Sequence, residues 1–103
     1  MIKESTTTSF NDDISSGLVL VDFWATWCSN CRMEMPFIEK LDKERGGKVQ
    51  IIKVNAETET ELAQKFNIQT LPTLIYFKDG KEVQKTVGFR PYAKLLEDVD
   101  NFS

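Results

Sequence analysis

At 103 residues, 41% of them hydrophobic and with only 5 glycines and 3 prolines, the chain is one domain's worth of sequence, able to bury its own core and unlike a collagen-like or low-complexity segment. Its 13 Lys and Arg against 16 Asp and Glu leave a net charge of −3. The basic footprint of a nucleic-acid binder is therefore missing, nothing draws the chain to anionic lipid, and no apolar run approaches the roughly 20 residues of a membrane-spanning helix.

In chain order, residues from Ile2 to Ser5 suit a short edge strand. Ser9 is placed to cap a short helix, with Asp12 three positions on and Phe10 and Ile14 on one face. Leu18 to Trp24, nearly all apolar and rich in β-branched and aromatic residues, reads as a strand covered on both faces. From about Ser29 to Arg45 the pattern is helical. Cys31, Met35 and Ile38 form one stripe and Met33, Phe37 and Leu41 a second, which predicts a helix covered over much of its surface, with both methionines as core residues. Pro36 should kink it, and Gly46-Gly47 ends it.

Val49 to Val54 is a second buried strand. Thr58 and Glu61 have the spacing of a capping box for the next helix, whose Leu62 and Phe66 share a face. Thr73 to Phe77 and Glu82 to Val87 are strands joined through Lys78-Asp79-Gly80-Lys81, where Asp-Gly marks a hairpin. Pro91 suits the first turn of a last helix, along which Tyr92, Leu95, Leu96, Val99 and Phe102 make an apolar stripe. Strands alternating with helices, followed by an antiparallel pair, imply an α/β domain with a central mixed sheet and helices on both faces.

With no histidine in the chain, there is no Ser-His-Asp triad, no Cys-His dyad and no histidine metal ligand. Acid–base work near neutral pH falls to a perturbed carboxylate, thiol, amine or phenol. The only 2 cysteines, Cys28 and Cys31, lie in VDFWATWCSNC, where a buried strand runs into the mouth of a helix. Unpaired N–H groups and the positive end of the helix dipole favour an anion there. Cysteines so placed have pKa values lowered to roughly 3.5–7.5. The i, i+3 spacing puts Cys31 on the same face, one turn deeper and less exposed, within reach of a disulfide. Three uses of the pair compete: a structural bridge, a soft-metal site in which Met33 and Met35 add thioethers to two thiolates, and dithiol–disulfide exchange. A bridge closing so short a loop removes little chain entropy, and the exchange reading is the one the placement favours.

The chain resembles the thioredoxin family from end to end. VDFWATWC is similar to that family's active-site strand and approach, and Pro36 falls where the family kinks its active-site helix. Lys53-Val54-Asn55 resembles the strand with the buried lysine, Leu71-Pro72-Thr73 the cis-proline loop, Phe77-Lys78-Asp79-Gly80 the hairpin, and Val87-Gly88 the rim of the substrate groove. The resemblance implies a thioredoxin-like three-layer fold over residues 1–103 as a single domain. It also implies a protein-disulfide oxidoreductase that reduces substrate disulfides through a Cys28–Cys31 couple. Cys28 thiolate would attack the substrate disulfide, and Cys31 would then displace the substrate from the mixed disulfide.

Asp22 is the candidate base for Cys31. A carboxylate inside an apolar strand is costly and its proton affinity should rise; the competing reading is a strand-end aspartate facing water. Lys53 would modulate Asp22, as against a solvated lysine on an edge face. The resemblance makes the Leu71–Pro72 bond cis and leaves the Leu71 main chain to pair with an extended substrate. Trp27, Leu71, Val87, Gly88 and Phe89 would form an apolar rim, with core packing the other use of Trp27. Pro72, Ser29 and Asn30 complete the candidate substrate-binding surface.

Ser29-Asn30 stands where most thioredoxins carry Gly-Pro. Proline has no N–H, whereas Asn30 supplies a backbone donor and an amide and Ser29 a hydroxyl. Such donors would stabilise the reduced, thiolate form and make the couple more oxidising. An oxidase or isomerase is therefore the alternative within the same chemistry, and a non-catalytic docking module the alternative outside it. No metal or cofactor is expected. The chain has no nucleotide fingerprint, so the implied partners are disulfide-containing proteins and a separate thioredoxin reductase. MIKESTTTSF lacks the apolar core of a secretory signal, and the expectation is a cytoplasmic monomer.

Overall fold

The computed structural model describes residues 1–103. Five strands, β1 (Ile2–Glu4), β2 (Leu18–Trp24), β3 (Gln50–Asn55), β4 (Thr73–Lys78) and β5 (Lys81–Val87), alternate at first with four helices, α1 (Phe10–Asp13), α2 (Ser29–Arg45), α3 (Thr60–Lys65) and α4 (Tyr92–Phe102). The sheet order is β1-β3-β2-β4-β5. β1 and β2 run parallel to β3, while β4 is antiparallel to both β2 and β5. This is the expected mixed sheet.

Alternation along the central strands divides the core. Val19, Val21 and Phe23 of β2 face one side, where Phe10, Phe66 and Phe77 meet in edge-on and tilted contacts with ring centroids 5.4 to 5.8 Å apart. Leu18 and Leu20 face the other side, against Ile38 and Leu41 of α2 and Leu95 and Val99 of α4. Asp22 and Trp24 follow Leu20 in phase, so strand periodicity points Asp22 toward the helix that carries the cysteines. The β4–β5 turn is the two-residue Asp79-Gly80, both at positive φ (49° and 85°), the geometry that matches the strand twist.

Several local expectations are corrected. Ser9 occupies the N-cap of α1 but its side chain makes no cap bond. Its hydroxyl instead donates to Asp13 and accepts from the N–H of Thr6, whose own hydroxyl accepts from the N–H of Ser9. The Thr58–Glu61 box does not form. Asn55, at the end of β3, closes a turn by accepting the N–H groups of Thr58 and Glu59, and α3 begins only at Thr60, with Glu59 at its N-cap. Val49 closes α2 through a bond to the Arg45 carbonyl, which moves the start of β3 to Gln50. The cover expected over the second stripe of α2 is also absent: Leu41 is buried, but Met33 is 59% exposed and Phe37 lies at the surface. Helix α2 continues past Pro36 to Arg45, so the proline does not end it. Pro91 sits at the N-cap of α4, one residue before its first turn.

Candidate active site

Strand β2 ends at Trp24, and the chain turns through Ala25-Thr26-Trp27 into α2. Glu57 holds this turn by accepting both the N–H and the hydroxyl of Thr26, at 2.9 and 2.8 Å, while Arg32 donates to the Thr26 carbonyl at 2.8 Å. The two bonds from Thr26 hold the Glu57 carboxyl below the usual carboxylate range. Cys28 is the N-cap of α2, in extended conformation, and its Sγ accepts the N–H of Cys31 at 3.1 Å. A sulfur thus stands where a capping oxygen ordinarily would, and the helix end that welcomes an oxygen anion welcomes a thiolate.

Cys28 and Cys31 are joined in a disulfide, with Cα atoms 5.3 Å apart. The expectation that Cys31 is the more shielded needs correction, since the residues are 5% and 6% exposed. Ala25 completes their cluster, with Trp24 and Leu71 packed against it. Cys31 N–H is the donor to Cys28 Sγ. Ser29 and Asn30 are both exposed and neither side chain makes a hydrogen bond in this oxidised form, so the extra donors expected from them are not aimed at the sulfur here.

Asp22 is 2% exposed, mid-strand between Leu74 of β4 and Lys53 of β3. The strand-end reading does not hold. Its Oδ1 is buried without a partner. Burial first, then the charge of Glu34 and of Glu4, pushes its carboxyl up to about 7, against the opposing pull of Lys53. Lys53 is not on an edge, because β3 lies between β1 and β2. Its Nζ rests 4.4 Å from the centre of the Trp24 ring and 3.8 Å from Glu4 Oε1. Asp22, Trp24, Cys31, Arg32, Met35 and Lys53 line one cavity of about 340 Å³, together with Ala25 and Thr26. Such a space, polar at one wall, has room for the water that would link a carboxyl to a thiol.

On the outer side, the Leu71–Pro72 bond is cis. Neither the N–H nor the carbonyl of Leu71 bonds within the protein, while the Pro72 carbonyl accepts the N–H of Gly88 at 2.8 Å. Trp27 is 67% exposed, which rules out core packing, and Val87 and Phe89 are also at the surface. Trp27 and Leu71 share a second, smaller cavity with Ile68 and Ala63. The tertiary fold thus gathers the bridge, Leu71 and Pro72 on one side and Asp22 and Lys53 on the other.

Glu34, Glu57, Arg90 and Asp98 escaped the sequence reading. Glu34 had a signal: at Cys31 plus 3 it lies in phase with Ile38 and Leu41, but hydropathy favours Met35 as the stripe's member. No three His, Cys, Asp or Glu residues are grouped to hold a metal ion.

A family model described as Thioredoxin matches residues 1–101. The thioredoxin of Staphylococcus saprophyticus is 44% identical over 99 residues, covering 96% of this chain and 95% of that protein. Those of Listeria monocytogenes and Bacillus subtilis are 40% and 42% identical, over 99% and 96% of this chain and 99% and 95% of their own lengths. Among solved structures, a thioredoxin of Malassezia sympodialis superposes with a TM-score of 0.89 at 32% identity, covering 98% of this chain and 92% of that one.

Proposed function

The chain belongs to the thioredoxin family and is a protein-disulfide oxidoreductase, and from that premise we propose that it works as a general disulfide reductase of the cytoplasm: a single-domain monomer, recharged by a separate thioredoxin reductase. Disulfide substrates and a reductase partner follow from the family in general, and no helix is long and apolar enough to cross a membrane. The observation that carries the reading is Cys28 Sγ at the N-cap of α2, bonded by the N–H of Cys31 and within disulfide reach of its thiol.

In the reduced protein, Cys28 thiolate attacks one sulfur of a substrate disulfide. A Cys28–substrate bond forms, the substrate bond breaks, and the second substrate sulfur leaves as a thiolate. Cys31 then gives its proton to Asp22 and attacks Cys28 Sγ. The intramolecular bridge forms as the first substrate sulfur departs, so two electrons have passed to the substrate. Asp22 suits the step because a carboxyl with a proton affinity near neutrality is ionised often enough to accept and holds the proton once it has it. The charge of Lys53 keeps that affinity from climbing further. An extended substrate pairs with the free main chain of Leu71 beside Pro72, and its side chains rest on Trp27, Val87, Gly88 and Phe89, with Ser29 and Asn30 at the rim.

The Ser29-Asn30 pair favours a second reading, a more oxidising oxidase or isomerase. Two measurements decide. Catalysed reduction of insulin by dithiothreitol should be abolished in Cys28→Ser. The Cys28–Cys31 couple should have a potential closer to the roughly −270 mV of thioredoxin than to the roughly −120 mV of a strong oxidant, whereas a value near the latter would assign the chain to the oxidants.

A further inference from the structure

Beside the exchange site lies a polar cluster whose one tie to the exchange chemistry is the charge of Glu34 acting on Asp22. Glu34, on α2 one turn past Cys31, is 1% exposed. Its Oε2 accepts the main-chain N–H of Arg90 at 2.8 Å, and its Oε1 is buried with no partner. The Arg90 guanidinium forms a two-pronged pair with Asp98 of α4, Nε to Oδ2 at 2.6 Å and Nη2 to Oδ1 at 2.7 Å, and Asp98 is itself buried. A buried ionic cluster is a poor way to gain stability, because apolar side chains of similar volume do as well or better. Its strength is direction: charge-assisted, two-pronged bonds hold a geometry that apolar contacts leave loose.

The geometry held is that of the groove rim. Arg90 lies two residues beyond Gly88, whose N–H is bonded to the Pro72 carbonyl. The Gly88-Phe89 segment is therefore fastened at one end to the loop beside the bridge and at the other to the helix that carries the thiols. Between these fastenings, the Gly88 carbonyl and both main-chain groups of Phe89 make no hydrogen bond within the protein. The Phe89 ring meets Phe37 of α2 edge-on, centroids 6.0 Å apart.

We propose that Glu34 is a positioning residue for protein-disulfide reduction: with Arg90 and Asp98 it fixes the Gly88-Phe89 rim relative to the Cys28–Cys31 bridge, so that a protein substrate meets rim and sulfur together. This rests on the reading of Leu71, Gly88 and Phe89 as the substrate groove. A small disulfide touches the sulfur without needing the rim, and that difference separates the role from general support of the fold.

The test compares insulin with 5,5′-dithiobis(2-nitrobenzoic acid) as substrates for the full chain. Glu34→Leu removes the acceptor and should raise KM for insulin by about tenfold, the worth of one charge-assisted hydrogen bond, with no such rise for the small disulfide; the lost charge also acts on Asp22, an effect that Glu34→Gln shares and that falls on kcat for both substrates alike. Glu34→Gln keeps an oxygen for the Arg90 N–H and should restore most of the lost affinity. Should thermal melting show Glu34→Leu unfolded, Asp98→Asn, which loosens the arginine fork without touching α2, should give a smaller rise of the same kind. An equal rise of KM for both substrates, an unchanged insulin KM in every folded variant, or no rescue of that KM by glutamine overturns the positioning role. A wild-type chain that reduces neither substrate would instead refute the reductase reading.

Discussion

Replacing Asp22 with asparagine keeps the shape of the side chain and removes its charge. A carboxyl moved from 3.8 to about 7 by burial and by the neighbouring charge of Glu34 has an ionised form about 4 kcal/mol less favoured inside the protein than in water. Well below pH 3.8 the group is protonated whether the chain is folded or not, and its charge costs nothing. As pH rises from about 4 to 7 the unfolded chain gives up the proton while the folded one retains it, so the native protein loses stability; above about 7 the full cost stands. Asp22→Asn should therefore stabilise the oxidised protein by up to about 4 kcal/mol more at pH 8 than at pH 4. Any cost of burying the amide is independent of pH and drops out of that difference. Urea unfolding at the two pH values measures it directly. A gain of the same size at both would refute the assignment of a buried, proton-holding carboxyl. The same substitution should slow the attack of Cys31 on the mixed disulfide more than its formation, and stopped-flow traces in which both steps slow equally would contradict the role in proton transfer.

Other consequences are open to equally direct tests. Cys31→Ser should accumulate a covalent complex of Cys28 with substrate, visible on non-reducing gels; rapid release of reduced substrate would contradict the order of attack. Because the charge of Lys53 holds the Asp22 carboxyl down, Lys53→Met should move its titration to higher pH when followed by carboxyl-carbon NMR, and a downward movement would refute the coupling. Trp27→Ala should change stability by no more than about 0.5 kcal/mol, as expected of an exposed side chain, while weakening insulin binding; a large loss of stability would place the indole in the core. Ser29 and Asn30 make no side-chain bond to the sulfur in the oxidised form, so their donors count only if they turn to the thiolate on reduction; Gly-Pro in their place should then lower the reduction potential, by about 30 mV for each 1.4 kcal/mol of lost thiolate stabilisation, and a rise or no change would remove the donors from the account.

Much of the fold is legible before any coordinates because local rules and burial agree. Leu18 to Trp24 is apolar on both faces but for Asp22 because it forms an interior strand, and Asp79-Gly80 supplies the two positive φ angles that a tight hairpin demands. The cysteines are legible for a related reason: the end of a helix is a local feature, and i, i+3 spacing reaches one turn. Where the reading failed, two local solutions competed. Asn55 captured the turn that Thr58 was expected to cap, and Thr6 shared the bonds expected of Ser9 alone. Met33 and Phe37 looked like core because hydropathy cannot tell a helix face that meets the sheet from one that meets a substrate or solvent.

Local sequence, then, determined the order of strands and helices and the placing of a thiol where main-chain donors converge, since both depend on contacts within a few residues. Only the tertiary structure decided what surrounds that thiol. Asp22 is a proton carrier candidate because packing among β2, β3, β4 and α2 buries it while leaving it on the wall of a cavity shared with Cys31. Leu71 packs against the bridge because a segment at least 40 residues from the cysteines folds back onto it. Glu34, Arg90 and Asp98, each an ordinary surface-type residue in the linear chain, become one cluster with both carboxylates buried and the arginine half-buried, because burial and charge pairing are properties of packed surfaces, which no stretch of sequence contains by itself.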